Sequence, residues 1–577
     1  MKYQKLAKLY EKLESTTKRL KKIDYLSDFL QELPEEDKEV LYLILGEVYP
    51  AYDERRIGIS EKLAIRALGK ATGNNKEKIV NEWKKKGDLG QVAEKFTKTK
   101  KQSTLGERTL TTEKVVKNLR KLPALEGQGT IDRKISIATE LFTSAKPLEA
   151  LYLMRTLIGD LRIGVQESTI RDAMARAFFK SSEEDEKEEA SKAIQKAIDN
   201  ANDIAKVFET AKKGKIRYLK NIKLEVGKPI KAMLAQKVNN VEEGFDSLGT
   251  PCAVEYKYDG FRLIIHKKDN KVWLFTRRLE NVTKQFPEVE EYVKKHVKGE
   301  SFILDSEAVG YDKKTKEYKP FQEISQRIKR KHNIKELQNK LPIEINVFDI
   351  IYYNGESYLD KSFKTRTDLL KKIIKQEKYK IIKSKQIITS ESKDAKEFYK
   401  KALKDNQEGI MMKNLHAKYQ PGSRVGHMLK LKPEERDLDL VITGAEYGTG
   451  KRGGWLTSFI ISCKGNKRGE YLEIGKVGTG MKEKTDSKAS GPSFSELTEK
   501  AKKLIKKEKG KKVEIKPRIV VSVTYQEIQH SPTYSSGYAL RFPRITQIRE
   551  DKPLSEIADI EEIEEDYKKQ KRNFRYG

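Results

Sequence analysis

Cysteine is nearly absent: Cys252 and Cys463 are the only two in 577 residues. That excludes a disulfide framework and a Cys-rich zinc site. Histidine is scarce as well. The six residues (His266, His296, His332, His416, His427, His530) are scattered and form no HExxH pair. No apolar run approaches the ~18–20 residues that span a bilayer, and no basic amphipathic anchor stands out, so no membrane partner is expected. The opening MKYQKLAKLYEKL lacks the apolar core of a signal peptide, and an intracellular setting is expected. Acidic residues are outnumbered, 87 against 119 basic, for a net charge of +32. Such an excess attracts polyanions and is the electrostatic footprint of a nucleic-acid-binding protein. A heat-adapted surface would show a similar abundance of Lys and Glu.

The length implies three or four domains of roughly 100–200 residues each. Residues 1–210 read as helices. Leu6, Leu9, Tyr10 and Leu13 follow the i, i+3, i+4, i+7 spacing, and periodic segments recur near 38–48, 60–71, 134–142, 147–157 and 168–179. Gly-bearing turns interrupt them at EGQGTIDRK (126–134) and IGDLRIGV (158–165). The stretch 211–229 changes the periodicity. After it, AVEYKY, FRLIIH, VWLFT, FILDSEAV and EINVFDIIYY read as strands. Residues 430–577 carry short strands at the spacing of a small barrel, and the basic end KKQKRNFRYG (568–577) is expected to be disordered. The fold class is therefore multidomain α+β: an all-α domain over 1–222, an α+β domain over 223–433 and a β-barrel over 434–577.

The chemistry centres on EYKYDGFR (255–262). Lys257 ends one strand, Asp259 and Gly260 make the turn tight, and Arg262 opens the next strand toward the same pocket. Further elements follow in order: FTRRLENVT with Arg277, FILDSEAV with Asp305 and Glu307, VFDIIYYNGES with Phe348, EGIMMKN with Glu408 and Lys413, MLKLKP with Lys430 and Lys432, and YALRFPRITQIREDKP with Arg541, Arg544, Arg549 and Lys552. K-x-D-G-x-R resembles motif I of the covalent nucleotidyltransferases, which include DNA ligases, RNA ligases and capping enzymes. The ALRFPR…REDK ending resembles the DNA ligase version of the last motif. The helical N-terminal region is similar to the DNA-binding domain of archaeal and eukaryotic replicative ligases. Over roughly residues 1–553 the chain thus resembles the ATP-dependent DNA ligases.

That resemblance implies a DNA-binding domain, an adenylation domain and an OB-fold barrel. It implies sealing of nicks in duplex DNA, 3′-hydroxyl to 5′-phosphate, in replication, repair and recombination. Lys257 would carry AMP as a phosphoramidate, splitting one difficult displacement into easier ones. An amine attacks only when unprotonated, and nearby cations favour that form; Arg262, Lys430, Lys432 and Mg²⁺ are the expected cations. By the same resemblance Arg262 and Arg277 contact the nucleotide or the nick phosphate, and Lys430 and Lys432 the α-phosphate. Phe348 stacks on adenine, Glu255 reads its edge, and Arg424 faces the nucleotide. Glu307 and Glu408 position Mg²⁺, and Arg549 and Lys552 orient pyrophosphate. ATP and Mg²⁺ are the implied cofactors. Nicked duplex DNA is the implied partner of a monomer in an archaeal cytoplasm, with a eukaryotic nucleus as the alternative setting. The family's sliding-clamp peptide would fall near KKQSTLGE (100–107), where Gln102 is present and the aromatic pair is missing. GAEYGTGKRGGW (444–455) fails the P-loop pattern, since Arg452 stands where Ser or Thr is needed. An RNA ligase or capping enzyme shares the core but lacks the helical domain and the RFPR ending. A decayed nucleic-acid clamp would not keep Lys257, Glu307, Glu408, Lys430 and Lys432 together.

Overall fold

The computed structural model describes residues 1–99, 109–179, 184–330, 332–433, 436–448, 452–483 and 491–576. The segment 100–107, on which the sliding-clamp expectation rests, lies outside the described residues. Two compact units form, each assembled from separated stretches of chain: one from 1–11, 57–163 and 434–576, the other from 12–56 and 164–433. Among the described residues no helix is long and apolar enough to cross a membrane.

In the second unit the helices Arg19–Glu32, Glu167–Phe178, Glu184–Ala201 and Ile204–Ala211 precede two β-sheets. Asp203 starts the last of these helices by accepting the Ala205 and Lys206 N–H groups, which intrahelical bonding leaves without partners. The last helix before the sheets is Ile216–Lys220 and the first strand is Leu234–Val238, so the change in periodicity at 211–229 marks a real change of structure.

The five-stranded sheet runs in the order Leu234–Val238, Arg424–Leu431, Gly409–Asn414, Cys252–Lys257, Gln386–Thr389. Val254, Tyr256, Ile410, Met412, Leu429 and Leu431 bury one face under the helices Val241–Leu248 and Ser392–Lys404. The seven-stranded sheet is built on Lys271–Thr276, Phe261–Lys268, Ser301–Tyr311 and Ile343–Tyr353. Leu263, Ile265, Leu304, Ile345 and Val347 pack its outer face with Val289, Val293 and Leu370 from the helices Pro287–His296 and Phe363–Ile373. Side chains alternate along a strand. Burying these residues outward therefore turns Glu255, Lys257, Arg262 and Glu307 toward the space between the sheets.

A bulge adds one more residue to that space. Asp305 pairs with Asp349 but Ser306 pairs with Val347, so Phe348 is an extra residue in its strand. Bulges re-aim side chains in this way beside functional sites.

The first unit combines the helices Glu61–Thr72, Leu89–Lys98, Thr130–Ser144 and Pro147–Leu157 with the strand-rich C-terminal part. Asp88 caps the helix at Leu89 and pairs with buried Arg155 at 2.5 Å. The barrel strands are Arg436–Tyr447, Leu456–Lys464, Tyr471–Val477, Val520–Tyr525 and Arg544–Ile548. The Ile545 N–H donates to the Thr479 carbonyl, which brings the last strand back to the third and closes the ring. The helix Phe494–Lys502 packs Phe494, Leu497 and Ala501 into the barrel core.

The expectation of a disordered end is overturned. Residues 560–576 form the helix Ile560–Tyr576. Its Ile563 is fully buried against the barrel with Tyr567 packed beside it, so an apolar stripe hidden among charges orders it. Gln570 bonds both the N–H and the carbonyl of Ile528, on the outer hairpin of Glu527–His530 and Tyr538–Arg541.

Candidate active site

Lys257 is the last residue of its strand. The following turn is held by the Asp259 N–H, which donates to the Gln407 side chain at 3.1 Å. Gly260 passes so close to the next sheet that a Cβ there would lie 2.3 Å from the Ala308 carbonyl oxygen. Gly409 pairs with Lys257 across the strands and has φ +141°, and a Cβ there would lie 2.2 Å from the Leu431 oxygen. A glycine is required at each position by packing, and the Lys257 side chain has no side chain directly opposite it.

The Glu408 N–H donates to the Lys257 carbonyl at 2.9 Å, which sets the Glu408 carboxylate beside the Lys257 amine. Glu408 Oε2 takes Lys257 Nζ as an ion pair and Lys432 Nζ at 2.6 Å. Burial would raise the Glu408 carboxyl, but the two ammonium groups outweigh it and hold the group at about 2. Lys430 is lowered by burial and by Lys257, Lys432, Arg424 and Arg277. Lys257 and Lys432 thus share Glu408 as their counter-ion, with Lys430 within electrostatic reach of both.

On the facing sheet Arg262 donates from Nε to Asp305 Oδ1 at 2.7 Å, pairs again with Asp305 Oδ2, and donates to the Met233 carbonyl at 2.8 Å. The Tyr419 hydroxyl donates to the same Asp305 at 2.7 Å. Asp305 is fully buried, so it acts here as the anchor of Arg262. Glu307 lies directly across the strands from Arg262. Burial pushes its carboxyl up to about 8; Lys257 and Arg262 oppose the rise, and Glu408 and Asp305 add to it. The Phe348 ring has the Arg262 guanidinium 5.2 Å from its centroid and the Lys413 ammonium at 4.8 Å. Glu255 is buried, with Lys413 at 2.6 Å and Gln386 at 2.8 Å.

Glu255, Lys257, Arg262, Glu307, Phe348, Glu408, Lys430 and Lys432 thus converge between the two sheets. Arg277 and Arg424 are exposed. Arg277 lines a cavity of about 360 Å³ with Arg278, Lys231 and Arg56, and Arg424 donates to the Ala235 carbonyl at 2.9 Å. Arg549 and Lys552 belong to the other unit, where both pair with Asp439, at 3.1 and 2.5 Å. Sequence reading missed Tyr419, Gln386 and Lys383. They lie outside the motifs and join the site only through side-chain bonds across strands.

Among the described residues no group of three or more His, Cys, Asp or Glu is placed to hold a metal. Mg²⁺ does not need such a cage, since it commonly takes one or two carboxylates, substrate phosphates and several waters. Glu307 and Glu408 would be the two carboxylates. Carboxylate oxygens are the donors that Mg²⁺ takes, so this donor set fits the ion.

The chain matches "ATP dependent DNA ligase domain" over residues 232–432, "DNA ligase N terminus" over 2–175 and "ATP dependent DNA ligase C terminal region" over 452–552. It is 47% identical over 571 residues to the DNA ligase of Nanoarchaeum equitans, covering 99% of each chain. It is 41% identical over 573 residues to the DNA ligase of Thermococcus fumicolans, again covering 99% of each. The solved structure named Pmar-Lig_PreS3 shares the fold with a TM-score of 0.56 at 18% identity, over 94% of this chain and 99% of that one.

Proposed function

Because this chain belongs to the ATP-dependent DNA ligase family, we propose that Lys257 is the amine on which its nick-sealing cycle turns. The enzyme uses ATP and acts on DNA. In the proposed cycle, Lys257 Nζ bonds to the α-phosphorus of ATP and pyrophosphate leaves. The 5′-phosphate at the nick then displaces the lysine and takes the AMP. Finally the 3′-hydroxyl loses its proton and attacks the phosphorus of the nick's own 5′-phosphate, the phosphodiester forms and AMP leaves. Each step moves a phosphoryl-type group, so the protein acts mainly through positioning and charge neutralisation.

The observation that carries this reading is the pairing of Lys257 and Lys432 on one Glu408 oxygen, with the Phe348 ring of the facing sheet set against Arg262 and Lys413. Phe348 offers its face to the adenine and Glu255 its carboxylate to the base edge. Lys430 and Lys432 take the α-phosphate, and Arg262, held by Asp305, presents a fixed charge beside the ring. Arg277 and Arg424 extend the basic lining toward the polyphosphate or the nick. Mg²⁺ on Glu307 and Glu408, with phosphate oxygens and water, would neutralise charge at the reacting phosphate. A cation on Glu408 would also compete with its hold on Lys257. Arg549 and Lys552, preorganised by Asp439, would orient pyrophosphate. We assign 1–222 to DNA binding, 223–433 to adenylation and 434–577 to an OB-fold barrel. The three would grip nicked duplex as a monomer in an archaeal cytoplasm, reading backbone continuity more than base sequence.

The test is incubation of the full chain with α-labelled ATP and Mg²⁺, digestion, and mass mapping of the adduct. AMP on the Lys257 peptide that chases onto nicked DNA supports the assignment. Undiminished labelling of a Lys257→Ala protein refutes it.

A further inference from the structure

We infer that Asn346 is a positioning residue for Glu307: in the loaded site its side-chain amide donates a hydrogen bond to one Glu307 oxygen and leaves the other aimed at the metal. The inference rests on the reading of Glu307 as a Mg²⁺ ligand beside Lys257.

Asn346 lies on the strand Ile343–Tyr353, between Ile345 and Val347. Both of those pack into the outer core, so alternation turns Asn346 inward, onto the face that carries Glu307 and Phe348. It is fully buried, and neither its Oδ1 nor its Nδ2 has a hydrogen-bond partner among the described residues. The glutamine amides near the slot are engaged at both ends. Gln386 donates to Glu255 and receives Lys383 Nζ. Gln407 donates to the Asp405 carbonyl and receives the Asp259 N–H. Buried polar groups in folded proteins are nearly always paired, so an amide left over at both ends calls for a reason. Such a group costs stability, and local rules are broken in this way chiefly at functional sites.

The register identifies what the amide serves. Glu307 has two direct cross-strand neighbours on its own face, Arg262 on one side and Asn346 on the other. Side chains so placed have Cβ atoms roughly 5 Å apart, close enough for an amide to bond a carboxylate. Arg262 is committed elsewhere: Nε and Nη2 to Asp305, Nη1 to the Met233 carbonyl. The Glu307 stem is backed by Gly260, where a Cβ would lie 3.1 Å from Glu307 Cγ. What remains to be set is the rotation of the carboxylate itself, and Asn346 is the neighbour with donors to spare. Carboxylates that hold a metal are ordinarily hydrogen-bonded in turn, and losing that outer partner lowers metal affinity by about 10–100-fold.

The experiment is a double-mutant cycle on the full chain with Asn346→Leu, Glu307→Gln and the two combined. One readout is the Mn²⁺ affinity of protein loaded with α,β-methylene-ATP, followed by paramagnetic resonance. The other is the Mg²⁺ concentration for half-maximal self-labelling by α-labelled ATP. We expect Asn346→Leu to weaken Mn²⁺ binding and raise the Mg²⁺ requirement by about tenfold or more, with the labelling rate at saturating Mg²⁺ little changed. In the Glu307→Gln background the same substitution should cost less than about twofold, since the amide has no ligand left to aim. Nucleotide-free Asn346→Leu should melt no lower than wild type, because it trades a buried polar group for an apolar one of similar size. Equal losses in both backgrounds, an unchanged metal dependence, or a lower melting temperature with metal affinity intact overturn the proposal. If Asn346→Leu fails to fold, Asn346→Ala decides it by the same cycle. A Glu307→Gln protein with the metal dependence of the wild type would instead sink the reading of Glu307 as a ligand.

Discussion

Replacing Gly260 by alanine tests how finely the slot is set. The added Cβ would stand 2.3 Å from the Ala308 carbonyl oxygen and 3.1 Å from Glu307 Cγ, where ordinary contact begins near 3.4 Å. Both neighbours belong to a central strand that is bonded on both sides, so they cannot yield cheaply. The Lys257–Arg262 turn must instead back away by about 1 Å, and a misplacement of that size costs on the order of 10²-fold in rate. Overpacking of this kind also costs about 1–3 kcal/mol of stability. The assay is the single-turnover rate of AMP adduct formation, read beside thermal melting. We expect a rate near one hundredth of wild type in a protein that still folds and still binds nicked DNA. A Gly260→Ala enzyme that labels at the wild-type rate would show that the close approach to Ala308 does not position Lys257.

Other perturbations separate metal, stability and pH effects. Glu408→Gln should raise the Mg²⁺ concentration for half-maximal labelling about tenfold or more, since one of two proposed carboxylate ligands is lost. Chelation should abolish labelling in the wild type and added Mg²⁺ restore it; labelling that survives the chelator contradicts the metal assignment. Asp88→Asn should destabilise the first unit by about 3–5 kcal/mol, because it strips the counter-ion from buried Arg155, and chemical denaturation reads the loss. His266 is buried, accepts the Gly227 N–H on Nδ1, and is held down to about 3 by burial. The unfolded chain then takes up a proton first as pH falls below the ordinary value near ~6.5. Stability from this group is complete above that value and lost on the way down to pH 3, by about 2 kcal/mol at pH 5. A His266→Gln protein should show a flatter decline over that window, and an unchanged slope would refute the cause.

Much of this was legible in the chain itself. Periodicity near 60–71 and 147–157 corresponds to the helices Glu61–Thr72 and Pro147–Leu157, because one apolar stripe on a helix leaves its spacing in the sequence. Strand alternation likewise announced that Glu255 and Lys257 share a face. What could not be read depends on pairs of strands. The bulge that re-aims Phe348 is a property of register between two segments. Asp305 stands two residues from Glu307 in the chain, and that spacing does not reveal the Arg262 and Tyr419 side chains that converge on it. Gln386 lies on an edge strand with no motif around it, and its meaning comes from Lys383 on one side and Glu255 on the other. The helix at 560–576 was hidden because a charged composition outweighed the two or three apolar residues that dock it.

That last helix has a consequence for how the protein keeps to itself. Hairpins with an open flank invite a second molecule to add a strand, the first step of aggregation. By engaging both backbone groups of Ile528, one glutamine side chain plugs the vacancy that a neighbour's backbone would otherwise fill. Trimming the polypeptide before residue 560 should leave the barrel folded but prone to associate with its own kind.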